Sequence, residues 1–278
     1  MSGSQSPAPT PSGAPTFNAL VLAGSRPGGD PLARAAGVSH KALAPVAGVA
    51  MLTRVVSTLR AARAVRRVIV CGMDRDTIGT QAELHSFLAS GQLGIVASRA
   101  TPSASVLSAM QQLDPNTPLL VATADHPLLT PALVDDFCAR SAGSGADVTV
   151  GLVPAKLVRA AFPTVKRTRL PFRDGAYCGC NLYAFLSPAA QRAPAAWMQV
   201  EQHRKHPWRM VGALGFGTTM RFLLRRLTVE AVTHLASDRM GVHVRAIVLS
   251  QPEAGFDVDT SAQLEAAEAF LRTRDANQ

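Results

Sequence analysis

No uninterrupted apolar run of about 18 residues occurs in the chain, so a membrane-spanning helix is not expected. The first residues have no basic start followed by an apolar stretch, which argues against a secretory signal. Cysteine is sparse, four in 278 residues, too few to read as a disulfide framework. Charged residues make up 17% of the chain against 47% hydrophobic ones, a balance that excludes an intrinsically disordered protein. Cytoplasmic location is the expectation these absences leave. Metal chemistry of the zinc kind is also poorly supplied. Cys178 and Cys180 form a lone C-x-C with no second pair, and His203 and His206 have no obvious third ligand.

What is present is organised around residues 17–52. An apolar run over 17–22 has strand length and feeds Ala23-Gly24-Ser25-Arg26-Pro27-Gly28-Gly29, a loop of small residues. Lys41 follows, then Pro45-Val46-Ala47-Gly48 and an apolar-periodic helix over 50–62 with Leu52, Val55, Val56 and Leu59 on one face. Strand, glycine-rich loop and helix is a layout that cradles phosphate, because small residues let backbone N–H groups approach an anion. The loop has neither the Gly-Lys-Ser/Thr ending of a P-loop nor the spacing of a dinucleotide fingerprint.

Downstream, strand and helix patterns alternate. Strands are expected at 67–71, 94–97, 118–123 and 146–153, and helices at 76–88 and 131–142, the latter capped by Thr130. A further helix follows residues 100–106, with Ser103 or Ser105 as its cap. This alternation predicts a parallel sheet with helices on both faces, whose ligands bind at the carboxyl ends of the strands. The Gly24 loop and Asp125 both follow strands, so both should face one crevice. After Pro154 the alternation breaks into Arg- and Pro-rich sequence, a turn at Asp174-Gly175, a strand ending at Phe185, and basic helices over 188–203 and 208–236. A strand over 242–249 and a helix over 260–272 capped by Thr260 close the chain.

Leu22-Ala23-Gly24, the run from Lys41 to Leu52, Asp125-His126-Pro127 and Asp257-Val258-Asp259-Thr260 together resemble the motifs of nucleotidyltransferases of the molybdenum-cofactor-guanylyltransferase and sugar-phosphate type. The resemblance covers most of residues 17–271 and is looser in the middle third. It implies a three-layer, Rossmann-like α/β fold, also described as glycosyltransferase-A-like, with a mostly parallel central sheet. It implies Mg²⁺-dependent transfer of NMP from an NTP (CTP, GTP or UTP) to a small phosphorylated acceptor, with release of pyrophosphate. Leu22, Ala23, Gly24, Ser25, Arg26, Lys41 and Ser105 would bind the nucleotide, Lys41 and Arg26 holding its phosphates during transfer. Asp125 and Asp257 would hold the metal, while Asp259 would alternate to the other side and buttress the turn with Thr260. Asn181 would line the acceptor side, with Lys166, Arg167 and Arg169 offered to the acceptor phosphate. The usual loop of the family has two adjacent glycines and a later arginine, and Ser25 to Asp30 departs from it. Arg26 either takes over the triphosphate contact or the loop is impaired.

On this reading residues 1–16 form a disordered tail rich in Ser, Pro, Gly and Ala. Residues 17–278 form one domain, with 154–240 a basic, helix-rich acceptor-binding insertion. The net charge of +9 is concentrated between Lys156 and Arg226, where no nucleic-acid-binding module is recognisable. The amphipathic stretch over 221–227 offers instead a weak contact with an anionic membrane face. Two rivals stand beside the transferase reading. An NDP-sugar-using glycosyltransferase would want Asp-x-Asp where the sequence has Ala124-Asp125-His126-Pro127. A non-catalytic nucleotide-binding or membrane-associated protein is motivated by the altered loop. No oligomer interface is legible.

Overall fold

The first apolar run is buried along its length because it lies within a wide sheet. The computed structural model describes residues 16–24, 29–201 and 226–276. Its strands are β1 (Phe17–Leu22), β2 (Pro45–Val46), β3 (Val49–Ala50), β4 (Val65–Cys71), β5 (Leu93–Val96), β6 (Leu119–Thr123), β7 (Val148–Pro154), β8 (Leu170–Phe172), β9 (Gly175–Phe185) and β10 (Val244–Val248). Eight form one sheet in the order β10-β7-β9-β6-β1-β4-β5, with β8 hairpinned onto β9, and β2 and β3 form a separate small hairpin. The β1–β4, β1–β6, β4–β5 and β7–β10 pairs are parallel. β9 alone among the long strands runs the other way, wedged antiparallel between β6 and β7. Part of the segment expected as a helix-rich insertion therefore runs through the middle of the sheet.

Helices cover both faces. They are α1 (Pro31–Ala35), α2 (Met51–Ala61), α3 (Arg75–Gly79), α4 (Ala82–Ala89), α5 (Pro102–Met110), α6 (Pro131–Ala142), α7 (Ala155–Ala161), α8 (Arg192–Glu201), α9 (Val229–Met240) and α10 (Ser261–Ala276). Alternate residues of β1 serve different layers, as the two-residue period of a strand requires. Ala19 and Val21 join a core with Leu52, Val55 and Leu59 of α2, Leu133 and Phe137 of α6, and Leu271 of α10. Leu20 joins a second core with Val106 and Met110 of α5 and Ala193 of α8. The architecture is the three-layer α/β fold with a mostly parallel sheet.

Several local expectations change. The helix expected over 76–88 is two, α3 and α4, because Gly79 is a poor helix former and the Thr80 hydroxyl turns back to Thr77 O at 2.8 Å. The cap of α5 is neither Ser103 nor Ser105 but Thr101, whose Oγ1 accepts from Ala104 N at 3.2 Å. The helix expected over 188–203 begins as a 3-10 turn, Pro188–Gln191, before α8. Of the helix expected over 208–236, residues up to 225 lie outside the described residues. What is described is α9, which starts only at Val229, capped by Thr228. Thr130 caps α6 as expected, accepting from Leu133 N at 3.2 Å. The tail over 1–15 lies outside the described residues, as do His203, His206 and all of the 221–227 stretch except Arg226 and Leu227. Among the described residues no helix is long and apolar enough to cross a membrane.

Candidate active site

The carboxyl ends of β1, β4 and β6 meet at one edge of the sheet. Ala23 N donates to Cys71 O at 2.8 Å, and Ala124 N donates to Leu22 O at 3.0 Å. Gly72, just past β4, has φ of 96°, and a Cβ there would lie 2.8 Å from the Gly24 Cα and 2.9 Å from its nitrogen. Only glycine fits that position, and the close approach fixes the exit of β1, where Leu22, Ala23 and Gly24 open the small-residue loop. Ser25 and Arg26 lie outside the described residues.

Asp125 follows β6 directly. Its Oδ1 accepts from Thr123 Oγ1 at 2.6 Å and its Oδ2 accepts from Lys41 Nζ at 2.6 Å. Lys41 opens a 3-10 turn, Lys41–Leu43, and its ammonium also donates to Asp259. Behind it stands the β2–β3 hairpin, whose turn residues Ala47 and Gly48 have φ of 48° and 75°. The C-terminal helix α10 holds that turn, with Glu268 Oε1 accepting from Ala47 N at 2.9 Å. Burial pulls the Lys41 pKa down, but Asp125 and Asp259 outweigh it and raise it above its ordinary value. Burial pushes the Asp125 carboxyl up, and Lys41 with Thr123 brings it below the usual carboxylate range. Both groups are charged at neutral pH.

The third carboxylate reaches the same place from the far end of the chain. Val258 N donates to Asp125 O at 2.9 Å, tying residues 257–259 to the end of β6. A Cβ on Gly255 would lie 2.4 Å from Val153 Cγ1, so glycine lets this segment press against β7. Phe256 anchors it by stacking on Phe162 with ring centroids 4.1 Å apart. Asp257 accepts from Asn181 Nδ2 at 2.9 Å and pairs with Arg167 Nη1, which also reaches Asp257 O at 3.0 Å. Asn181 sits where the β7–β9 register breaks: Val150 pairs Tyr183 but Leu152 pairs Gly179. Its φ of 49° is left-handed, a conformation asparagine tolerates better than most residues. A bulge of this kind re-aims a side chain, and here it points the amide at Asp257.

Lys41, Asp125, Asp257, Asn181 and Arg167 are thus brought together. Asp259 does not behave as expected. Its carboxylate takes Lys41, and the turn is held by Gln263, whose Oε1 accepts from Asp259 N at 2.7 Å and Thr260 N at 2.9 Å. Gln263 N in turn donates to Thr260 Oγ1 at 3.3 Å, a reciprocal capping box that the Thr-x-x-Gln spacing could have announced. Ser105 is buried, its hydroxyl donating to Thr101 O at 2.9 Å and accepting from Arg99 N at 2.8 Å. Lys166 and Arg169 line a separate cavity of about 350 Å³ with Arg159 and Arg167. His126 is fully buried, neither ring nitrogen has a partner among the described residues, and burial lowers its pKa to about 4. Among the described residues no group of three or more His, Cys, Asp or Glu side chains gathers as a metal centre. The carboxylates are each neutralised by a cationic side chain instead. A metal ion bound at Asp125 and Asp257 would have to share them with, or take them from, Lys41 and Arg167.

Cations and carboxylates are gathered where the strands of a doubly wound sheet end, the place at which such sheets bind their ligands. Residues 19–229 match the MobA-like NTP transferase domain, and the chain belongs to that family of nucleotidyltransferases. The bifunctional protein GlmU of Azorhizobium caulinodans is 34% identical over 116 residues, 41% of this chain and 25% of that protein. The match therefore spans a quarter of that relative's length. Among solved structures, a hypothetical transferase from Thermus thermophilus superposes with a TM-score of 0.73 at 27% identity, covering 90% of this chain and 99% of its own. The 4-diphosphocytidyl-2C-methyl-D-erythritol synthase of Anaerococcus prevotii reaches 0.56 at 13% identity, over 93% and 97% of the two chains. A CMP:2-keto-3-deoxy-manno-octonic acid synthetase complexed with CTP also reaches 0.56, at 15% identity over 94% and 100%.

Proposed function

We propose that the chain transfers NMP from an NTP to a small phosphorylated acceptor, releasing pyrophosphate in a Mg²⁺-dependent reaction. The observation that carries the proposal is the Lys41 ammonium bridging Asp125 and Asp259 beside the Arg167–Asp257 pair, at the edge where the Gly24 loop begins. Negative charge accumulates on the phosphates during such a transfer, so the site must supply positive charge where it develops. Lys41 supplies it, held in place by α10 through the β2–β3 hairpin. Backbone N–H groups of the Gly24 loop would cradle the triphosphate, with Arg26 beside them and Ser105 shaping the pocket wall. Asp125 and Asp257 would hold Mg²⁺, which when bound neutralises and polarises the transferring phosphoryl group. The acceptor phosphate is a nucleophile at neutral pH and needs no base, which agrees with a neutral, buried His126. Asn181, Lys166, Arg167 and Arg169 would face the acceptor.

Residues 17–278 act on this reading as one catalytic unit, with 154–240 supplying the acceptor side. Two fold neighbours carry cytidine nucleotides in their names, which puts CTP beside GTP and UTP among donors to test. A cytoplasmic location is part of the proposal, supported by a donor drawn from the nucleoside triphosphate pool.

The test is a thermal-shift panel of CTP, GTP, UTP and ATP, each with and without Mg²⁺, on the wild type and Asp125→Ala. A ligand at a hundred times its Kd stabilises the native state by about 2.7 kcal/mol. One Mg²⁺-dependent shift that Asp125→Ala abolishes is expected. No shift with any nucleotide would defeat the reading.

A further inference from the structure

Arg167 stands between two places at once. Through Nη1 it holds Asp257, and it also lines the cavity of about 350 Å³ between α7 and β9. The wall is basic: Arg159, Lys166, Arg167 and Arg169 line it, and among the described residues no Asp or Glu does. Ala155, Val158, Pro163 and Val165 supply an apolar lining. Arg167 Nε is buried and has no hydrogen-bond partner among the described residues. A guanidinium is a planar fork built to meet an oxyanion with two parallel bonds. Here the contacts to Asp257 come from one nitrogen and leave Nε unused, so the fork is under-satisfied in the arrangement it has.

We infer that Arg167 is an exchangeable clamp: a phosphate group entering the cavity takes the guanidinium from Asp257, so that filling the cavity releases the Asp257 carboxylate. That the occupant is the acceptor rests on the nucleotidyl-transfer reading, while the exchange itself does not. A dianion held by four cationic side chains is a better partner for Arg167 than one carboxylate that already has Asn181. A ligand shifts such an equilibrium only by what it binds better in one state, and the cationic wall of Arg159, Lys166 and Arg169 around Arg167 supplies that difference. Asp257 then becomes available to the nucleotide side of the crevice only when the acceptor is in place. An NTP bound alone would meet an incomplete site.

The experiment titrates inorganic phosphate into the full chain by calorimetry, with acetate as the single-carboxylate comparison. Phosphate should bind the wild type more tightly than acetate, weaken at least about tenfold in Lys166→Gln/Arg169→Gln, and weaken in Arg167→Gln. Asp257→Asn is the decisive variant. It removes the competitor for the guanidinium, so phosphate affinity should rise about fivefold to tenfold. An unchanged or weaker affinity in Asp257→Asn, or phosphate binding no tighter than acetate, overturns the exchange. A side-chain ¹⁵N spectrum of the wild type reads the same event without altering Asp257. The Arg167 resonance, assigned by its loss in Arg167→Lys, must move on phosphate addition, and an unmoved signal refutes the clamp. The nucleotide panel separates the two failures. Nucleotide shifts without a phosphate response sink the clamp alone, whereas a phosphate response without nucleotide shifts sinks the transferase reading alone.

Discussion

Lys41→Met removes the cation from between two carboxylates and leaves the methylenes in place. The side chains of Lys41 and Asp125 are 16% and 23% exposed, so the pair is neither a surface ion pair nor a fully buried one. Exposed pairs are worth up to about 1 kcal/mol, and breaking a buried one costs about 3–5 kcal/mol. An intermediate loss of about 2 kcal/mol at neutral pH follows, or roughly 3–4 °C in melting temperature for a chain of this size. The loss carries a pH signature. In the wild type the Asp125 pKa is lowered, so its contribution is present above the ordinary carboxylate pKa and disappears as pH falls through the folded value. In Lys41→Met the largest opposing influence on burial is gone and only the Thr123 hydroxyl and His126 resist it, so that pKa moves up and the variant gains relative stability as Asp125 takes up a proton. The gap between the two proteins should therefore be widest near pH 7 and close below about pH 4. Urea melts from pH 3 to 8, with Asp125→Asn and the double variant completing a cycle, test this. A gap independent of pH, or single losses that add within about 0.5 kcal/mol in the double variant, would refute the reasoning.

Gly72→Ala should cost about 2–4 kcal/mol, because a Cβ there meets the Gly24 backbone at 2.8 Å in a left-handed conformation, and nucleotide affinity should fall with it; an unshifted melting temperature would contradict the packing. Thr101→Ala should lose about 1 kcal/mol of stability through its cap, whereas Ser103→Ala should lose less, a ranking that denaturant midpoints can check. His126 is held neutral with a pKa of about 4 against an ordinary 6.5, so the unfolded chain binds more protons and stability declines as pH falls from about 6.5 towards 4; His126→Leu should flatten that slope, and a slope unchanged in the variant would contradict it.

The sheet was largely legible because its strands are short apolar runs bounded by turn residues, and the parallel order followed from their alternation with helices. The split between α3 and α4 was missed because apolar residues on either side of Gly79 keep a helical period through a break that only the Thr80 hydroxyl reveals. Thr101 was passed over for nearby serines, although Thr101-Pro102 is the stronger start signal, with proline at the first helical position. In the site, Lys41, Asp125 and Asp257 could be picked out one by one from their motifs. Their pairing could not, since Lys41 and Asp259 are 218 residues apart and nothing local tells a carboxylate which cation it will meet. The alternation argument sent Asp259 away from the crevice. It failed because the segment is pinned by Gln263 and by Val258 on Asp125, so Asp257 and Asp259 both reach cations.

The antiparallel wedge of β9 also decides when this protein can finish folding during synthesis. β6 and β7 are successive parallel-running strands, yet they touch only through a strand made later than both. Until residue 185 has left the ribosome, β6 keeps an open edge and β7 has no neighbour, since β10 is later still. Non-local pairings of this kind form slowly, and unpaired edges are templates for association. The nascent chain thus passes through an interval with β1, β4, β5 and β6 assembled and β7 still unpaired. Translation speed and chaperone supply across residues 154–185 should set the yield of folded enzyme.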